Sequence, residues 1–149
     1  MRAVIQRVSR ASVTVESNVV GKINRGLMVL IGINSTDDDK TMDYILDKIA
    51  NLRIFEDEND KMNLSVTDIG GEILIVPNFT LYGDARKGRR PGYSSGASPD
   101  EAKVIFERFK EKANDLSIKT EFGIFQADMK VELINDGPVT LLLDSDRLF

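Results

Sequence analysis

Hydrophobic positions in the first third of the chain follow the two-residue period of β-strands. The segment Ala11–Val15 alternates apolar and polar side chains, which is typical of a strand with one covered face. Leu27–Ile31 is apolar throughout and predicts a strand covered on both faces. Gly21 and Gly26 separate the short runs between these two segments. The first third is therefore predicted to be β-structure.

Two later segments have the period of an amphipathic helix. The first follows a predicted capping segment, Ser35–Asp37, and its apolar positions are Met42, Ile45, Leu46 and Ile49. The second begins at Ser98–Glu101, where serine caps, proline suits the first turn and glutamate completes a capping box. Its apolar stripe consists of Ala102, Ile105, Phe106, Phe109 and Ala113. Both patterns predict helices with one face buried.

The middle of the chain contains strand and loop signals. Leu52–Phe55 is interpreted as a strand, and Glu72–Val76 as a strongly apolar, buried strand that leads directly into Pro77–Thr80. Glycines and a proline within Asp84–Ala97 predict a long loop. Polar residues at a strand end are a common setting for binding and catalysis.

The last third predicts two more strands. Apolar and polar residues alternate in Met129–Leu133, and Val139–Leu143 is expected to be a partner strand across a hairpin turn at Asn135–Pro138. The order of elements is several strands, a helix, two strands, a helix and three strands. This predicts one mixed α/β domain over residues 1–149, with both amphipathic helices on one face of the sheet.

The composition excludes several mechanisms. The 149 residues include no cysteine and no histidine, so thiolate nucleophiles, cysteine zinc sites and Ser-His or Cys-His catalysis are impossible. Any catalysis must use hydroxyls, carboxylates, lysines, backbone groups or the substrate itself. We predict neither a metal nor another cofactor. No segment predicts a signal peptide or a membrane span, and we therefore predict a cytoplasmic protein.

Charge is distributed unevenly along the sequence. The net charge of −4 disfavours general affinity for nucleic acids, but four cations crowd residues 86–90: Arg86, Lys87, Arg89 and Arg90. This segment is interpreted either as a solvated loop or as a contact for phosphates. Five acids near the chemically interesting segments have no metal-binding spacing: Asp84, Asp128, Asp136, Asp144 and Asp146.

Three polar features are candidates for chemistry, and each has a structural interpretation as well. Thr80 follows a buried strand, but no histidine is present to activate its hydroxyl, so a structural role is favoured. Asn135–Pro138 suits an ordinary turn, although a proline after Gly137 also permits a cis peptide bond. Arg7 is interpreted either as a surface charge on a strand or as part of a site.

Taken together, four segments resemble the D-aminoacyl-tRNA deacylase family. They are the amino terminus, Met1–Val8; the first signature, Val76–Asp84 with Asn78-Phe79-Thr80-Leu81; the basic loop, Lys87–Pro91; and the second signature, Asn135–Thr140. Their order, their separations and the chain length agree with the family. The resemblance implies a layered β/β/α fold.

The resemblance also implies an activity and a site. The activity is hydrolysis of the ester between a D-amino acid, or glycine, and the terminal adenosine of tRNA, with rejection of L-aminoacyl esters. The implied site is shared across a homodimer, with Phe79 and Thr80 as catalytic positions. The implied substrate-binding residues are Arg7, Asn78, Phe79, Met129, Gly137 and Pro138. The Gly137–Pro138 bond is expected to be cis, with Arg7 locking the turn.

Two positions depart from the family pattern. Pro77 stands where serine is usual and Asn78 where glutamine is usual. A related animal-type deacylase, which has relaxed chirality, carries proline at the position of Pro77. Editing of L-aminoacyl esters is therefore one alternative function. The others are a non-catalytic tRNA-binding module that uses the loop at residues 86–90, and a purely structural dimer.

Overall fold

The computed structural model describes all 149 residues, and they form eight strands, two α-helices and one short 3₁₀ helix. The strands are β1 (Arg2–Val15), β2 (Asn18–Ile23), β3 (Gly26–Gly32), β4 (Phe55–Glu56), β5 (Met62–Leu64), β6 (Glu72–Pro77), β7 (Thr120–Phe122) and β8 (Met129–Asp144). The helices are α1 (Asp39–Asn51), the 3₁₀ helix (Phe79–Tyr82) and α2 (Pro99–Asn114). Neither α-helix is long and apolar enough to cross a bilayer.

The long strand β1 organises the main sheet. β8 pairs antiparallel with one edge of β1. On the other edge, β3 pairs antiparallel with the first half of β1 and β2 pairs antiparallel with its second half. β6 and β7 extend the sheet beyond β3 in parallel pairing. β4 and β5 form a separate two-stranded hairpin. Alternating residues of β3 and β6 therefore face two different cores.

Three layers result from this arrangement. The larger core lies between one face of the sheet and both helices, and it includes Phe106 and Phe109 of α2, which are at most 1% exposed. The smaller core lies on the opposite face, where Met28 and Leu74 pack against Val13 and Ile23 from the far half of β1 and from β2. The predicted layered β/β/α fold, with both helices on one face, is confirmed.

The helices have the predicted buried stripes, but only one has the predicted cap. Asp38, rather than Ser35–Asp37, caps α1 by accepting a hydrogen bond from the Thr41 N–H at 2.9 Å. Asp37 is buried instead against the Met1 ammonium. At α2, the Glu101 carboxylate accepts hydrogen bonds from the N–H and the hydroxyl of Ser98, as the capping sequence predicts.

The predicted hairpin at Asn135–Pro138 is wrong. Residues Met129–Asp144 form one strand, and both of its halves pair with β1. Between the pairs Val8–Asn135 and Gln6–Thr140, five steps along β8 oppose two steps along β1, so Asp136–Val139 bulge out of the ladder. The chain shifts register here without reversing. Similarly, the strand expected at Leu52–Phe55 is reduced to Phe55–Glu56. Three strands rather than two separate the helices, and two rather than three follow the second helix because Met129–Asp144 is one strand.

Candidate active site

The first half of the site forms where β6 ends. Pro77 has no N–H with which to extend the ladder, and the Asn78 N–H makes the last contact, to the Ile31 carbonyl at 2.7 Å. The Asn78 side chain then caps the 3₁₀ helix. Its Oδ1 accepts hydrogen bonds from the Thr80 N–H at 3.1 Å and from the Thr80 hydroxyl at 2.5 Å. Asn78 therefore fixes the orientation of Thr80.

The 3₁₀ helix is held tightly against the sheet. A Cβ atom on Gly32 would lie 2.9 Å from the Leu81 Cβ atom, so only glycine permits this close approach. The Arg2 guanidinium donates to the Leu81 carbonyl at 3.0 Å and lies over the Tyr82 ring, 4.6 Å from its centre. Asp144 at the end of β8 accepts from Arg2 at 2.9 Å. The position of the 3₁₀ helix is thus set by three strands.

A cavity of about 720 Å³ opens beside this helix. Its lining is mainly apolar and comprises Leu30, Ile31, Ile33, Val76, Pro77, Asn78, Phe79, Tyr93, Ala97, Pro99, Ala102, Phe125, Gln126, Ala127, Asp128, Met129 and Val131. Phe79 projects at the rim with 69% of its surface exposed, and its ring meets that of Tyr93 edge-on, with centres 5.2 Å apart. A flat, exposed ring at a cavity mouth suits stacking with a nucleobase.

Met129 reaches the same cavity from β8. A Cβ atom on Gly123 would lie 2.7 Å from the Met129 sulfur and 3.3 Å from the Pro77 ring, so the missing side chain at Gly123 leaves room for this contact. Three of the predicted substrate-binding residues, Asn78, Phe79 and Met129, therefore line one cavity.

The Thr80 hydroxyl has no activating group in this structure. Its proton is directed to Oδ1 of Asn78, and an amide oxygen is a hydrogen-bond acceptor but not a base that removes a proton near neutral pH. Its lone pairs remain available to a ligand. The geometry suits a hydroxyl that orients a substrate better than one that attacks it.

The second group of candidate residues lies in the bulge in β8. The Gly137–Pro138 peptide bond is cis, as the resemblance implies. The Asn135 side-chain amide donates to the Arg7 carbonyl at 2.9 Å and to the Val139 carbonyl at 3.1 Å, so it clamps both ends of the bulge to β1. Gly137 and Pro138 themselves are exposed. The tip of the bulge therefore lies at the surface of the chain.

Arg7 is not a surface charge, because its side chain is buried beneath the bulge. It is 3% exposed and donates to the Asp136 carbonyl at 3.1 Å and to the Ile54 carbonyl at 2.7 Å. It also forms ion pairs with the carboxylates of Glu56 at 3.1 Å and Asp136 at 3.2 Å. A planar guanidinium can satisfy these acceptors together, which a lysine cannot. The bulge is consequently joined to the segment Ile54–Glu56.

The cavity and the bulge do not meet within one chain. Arg7 pairs with Leu27 on β3, whereas the 3₁₀ helix packs on Gly32, five residues further along that strand. Five residues of strand span about 16 Å. Arg7, Gly137 and Pro138 are accordingly absent from the lining of the cavity.

Three residues of this arrangement were missed by sequence reasoning. Tyr93, which contacts Phe79, is the only aromatic residue of the glycine-rich loop. A single aromatic residue in such a loop is a sequence feature that could have marked it as a site residue. Asn135 is part of the second signature but was interpreted only as a turn residue. Glu56 had no local signal, because its partner Arg7 lies 49 residues away.

Comparisons with known proteins identify the family. The model of the D-Tyr-tRNA(Tyr) deacylase family matches residues 4–144. The chain is 59% identical to the D-aminoacyl-tRNA deacylase of Clostridioides difficile (strain 630) over 149 residues, which is 100% of both chains. It is 58% identical to the D-aminoacyl-tRNA deacylase of Thermosipho africanus (strain TCF52B) over 149 residues, again 100% of both. The family model and the sequence identities place the chain in a class of hydrolases that act on aminoacyl-tRNA.

Solved structures share this fold. The structure titled "c-Myc DNA Unwinding Element Binding Protein" matches with a TM-score of 0.91 and 40% identity, over 97% of this chain and 98% of that one. A structure of a probable eukaryotic D-amino acid tRNA deacylase matches with a TM-score of 0.78 over 95% and 97% of the two chains, and its 18% identity supports the fold alone. The chain belongs to the D-Tyr-tRNA(Tyr) deacylase family.

Proposed function

We propose that this protein, acting as one domain over residues 1–149, hydrolyses the ester of D-aminoacyl-tRNA to free D-amino acid and tRNA. The observation that carries the proposal is the exposed cis Gly137–Pro138 bulge above the buried Arg7, the arrangement that the family resemblance assigns to substrate binding. Phe79 lies at the cavity and the bulge is exposed elsewhere on the chain, and we call these two groups the half-sites. The full-length identity of 59% to a D-aminoacyl-tRNA deacylase supports the reaction class. The proposed substrate is used in translation, which supports a cytoplasmic location.

The two half-sites are proposed to combine in a homodimer. In a two-fold dimer, the same bulge of each chain can reach the cavity of the other, so two identical sites form. The apolar surface needed for such contacts is present near the bulge, where Ile134 and Leu142 of β8 are 42% and 57% exposed. Burial of these two side chains between the subunits would favour the dimer.

Chirality is proposed to be read by the backbone of the bulge. The carbonyls of Gly137 and Pro138 would accept hydrogen bonds from the α-ammonium group of the substrate and leave no room for a side chain of L configuration. Rejection by steric exclusion needs no side-chain chemistry. Glycine has no side chain to exclude, so glycyl-tRNA is proposed to be a substrate as well.

The hydrolytic step is proposed to depend on the first turn of the 3₁₀ helix and on the RNA. Phe79, the first residue of this helix, has no earlier helical carbonyl for its N–H, which is therefore the donor for the developing oxyanion. The Thr80 N–H is already donated to the Asn78 side chain at 3.1 Å, so the proposed oxyanion donor is the Phe79 N–H alone. The ribose 2′-hydroxyl assists the attacking water, and the Thr80 hydroxyl positions the substrate.

The direct test of the proposed reaction compares matched D- and L-tyrosyl-tRNA with the pure protein. We expect the D ester to be hydrolysed about 100-fold faster or more, because the L side chain is excluded sterically. The measurement is the rate of release of radiolabelled tyrosine from each ester, with glycyl-tRNA as a third substrate.

The outcomes separate the alternatives. Hydrolysis of both tyrosyl esters at similar rates would assign the protein to the animal-type activity, whose family shares proline at the position of Pro77. Equal binding of charged and uncharged tRNA without hydrolysis would make it an RNA-binding module. Either result would contradict the proposed function.

A further inference from the structure

The loop after the 3₁₀ helix is closed at its base into a compact projection. The N–H of Asp84 donates to the Gly92 carbonyl at 2.7 Å, and the N–H of Gly92 donates to the Asp84 carbonyl at 2.9 Å. Gly88 lies near its middle with a φ of +73°, a backbone conformation that side chains disfavour. The residues between these ends, Ala85–Pro91, are all exposed. We call this exposed segment, Ala85–Pro91, the tip.

Only one of the four cations in this tip is neutralised within the chain. Arg86 forms a two-pronged ion pair with Asp84, at 2.9 Å from Nε and 2.7 Å from Nη2. The side-chain hydrogen bonds from Arg86 hold the pKa of Asp84 well below its usual range, so this carboxylate stays charged. Lys87, Arg89 and Arg90 have no carboxylate within 4.0 Å.

Three unpaired cations so close together form a local positive patch that attracts anions. The three cations repel one another. The chain as a whole carries a net charge of −4, so the tip is a positively charged region on a negatively charged protein. A guanidinium presents a planar fork that matches a phosphate group, and lysine adds a mobile point charge. Phosphodiester groups are therefore the ligand that this tip fits best.

Tyr93 connects the tip to the cavity, because it follows the base of the tip in sequence and lines the cavity. This residue follows Gly92 directly, and its ring contacts Phe79 at 5.2 Å between centres. Four residues, even if fully extended, span about 13 Å, so the tip reaches at most about that distance beyond Gly92, the neighbour of Tyr93. An RNA strand whose terminal base stacks on Phe79 would pass its preceding phosphates along the tip.

We propose that Lys87, Arg89 and Arg90 bind the phosphates of the single-stranded 3′ end of tRNA, while Arg86 serves the structure of the loop. This inference rests on the proposed function, because it assumes that Phe79 meets the terminal adenosine. The tip adds affinity for the RNA strand and is separate from the ester-cleaving groups.

The test compares two esters that differ in phosphate content. One is D-tyrosyl-tRNA, and the other is 3′-D-tyrosyl-adenosine, which has no phosphate. The ratio of kcat/KM for the two esters is measured for the wild type, for the triple variant Lys87→Gln/Arg89→Gln/Arg90→Gln, and for Arg86→Gln. The rate with the short ester normalises each preparation for active enzyme.

We expect the ratio to fall at least about tenfold in the triple variant, and its log–log slope against salt to become shallower by about 2, which is the contribution of three single-strand phosphates. The matched variant Arg86→Gln should change the ratio by less than about threefold, because this cation is already paired. An unchanged ratio in the triple variant, or an equal fall in Arg86→Gln, would overturn the assignment. If the wild type cleaves neither ester, the proposed function fails instead.

Discussion

Replacement of the 2′-hydroxyl of the substrate's terminal adenosine by hydrogen should slow ester hydrolysis by about 100- to 1,000-fold, the usual value of a positioned acid–base group. Thr80→Ala should slow it by less than about tenfold, because a neutral positioning hydrogen bond contributes about 1 kcal/mol. The reason is structural. The chain has no histidine, and the Thr80 hydroxyl donates to an amide oxygen that cannot take its proton.

The measurement is single-turnover hydrolysis of D-aminoacyl-tRNA whose terminal adenosine is either ribo or 2′-deoxy, with wild type and Thr80→Ala. Thr80→Ser is the matched variant, since it keeps the hydroxyl and should retain nearly the wild-type rate. A dead Thr80→Ala enzyme, together with normal cleavage of the deoxy substrate, would identify the threonine as the nucleophile and refute this mechanism.

Arg7→Ala should have the largest effect on stability and should also weaken discrimination. Its removal takes the donors from two carbonyls, those of Ile54 and Asp136, and leaves a gap beneath the bulge. The carboxylates of Glu56 and Asp136, which pair with Arg7, are 41% and 45% exposed, so water can hydrate them when Arg7 is removed. We therefore expect a loss of about 2–4 kcal/mol in the free energy of unfolding, mainly from the buried acceptors.

Urea denaturation measures this loss, and rates with D- and L-tyrosyl-tRNA measure discrimination. With the bulge loosened, the L ester should begin to be cleaved while activity on the D ester falls. Arg10→Ala is the matched control on the same strand. Arg10 is 58% exposed and its ion pair with Glu132 is 3.7 Å long, so its loss should cost less than about 1 kcal/mol. Equal stability and equal L-rejection in Arg7→Ala and the wild type would contradict the proposed locking role.

Local sequence patterns were sufficient to predict the elements that are determined by a few neighbouring residues. The apolar run Glu72–Val76 is a buried strand, and Ser98–Glu101 begins a helix, because a strand covered on both faces and a capping box are encoded within a few residues. The capping segment of α1 was placed one residue early, since Asp37 and Asp38 are equally suitable and the buried Met1 ammonium decides between them.

Contacts between residues that are distant in the sequence determine the features that local patterns could not predict. Asn135–Pro138 suits a hairpin and a bulge equally, and the choice depends on β1, which offers its edge to both halves of β8. The burial of Arg7 depends on carbonyls and carboxylates that lie 47 to 129 residues away. The candidate site was found by resemblance for the same reason, since its two halves are not adjacent in the sequence.

The central claim, that each site combines the Phe79 region of one chain with the bulge of the other, is tested most directly by mixing two inactive variants. Phe79→Glu places a charge on an exposed ring position at the cavity. Gly137→Val adds a side chain to the exposed bulge, where a Cβ atom would have only an ordinary contact, 3.4 Å from the Asn135 side chain. Both substitutions should leave the fold intact while they disable opposite halves of the site.

The variants are unfolded together in equal amounts, refolded so that subunits assort at random, and assayed for hydrolysis of D-tyrosyl-tRNA. A shared site predicts about one quarter of the wild-type activity, because half of the dimers are mixed and each mixed dimer has one intact site out of two. Each variant refolded alone should be inactive. If the mixture is as inactive as its components, the site lies within one chain and the shared-site account is wrong.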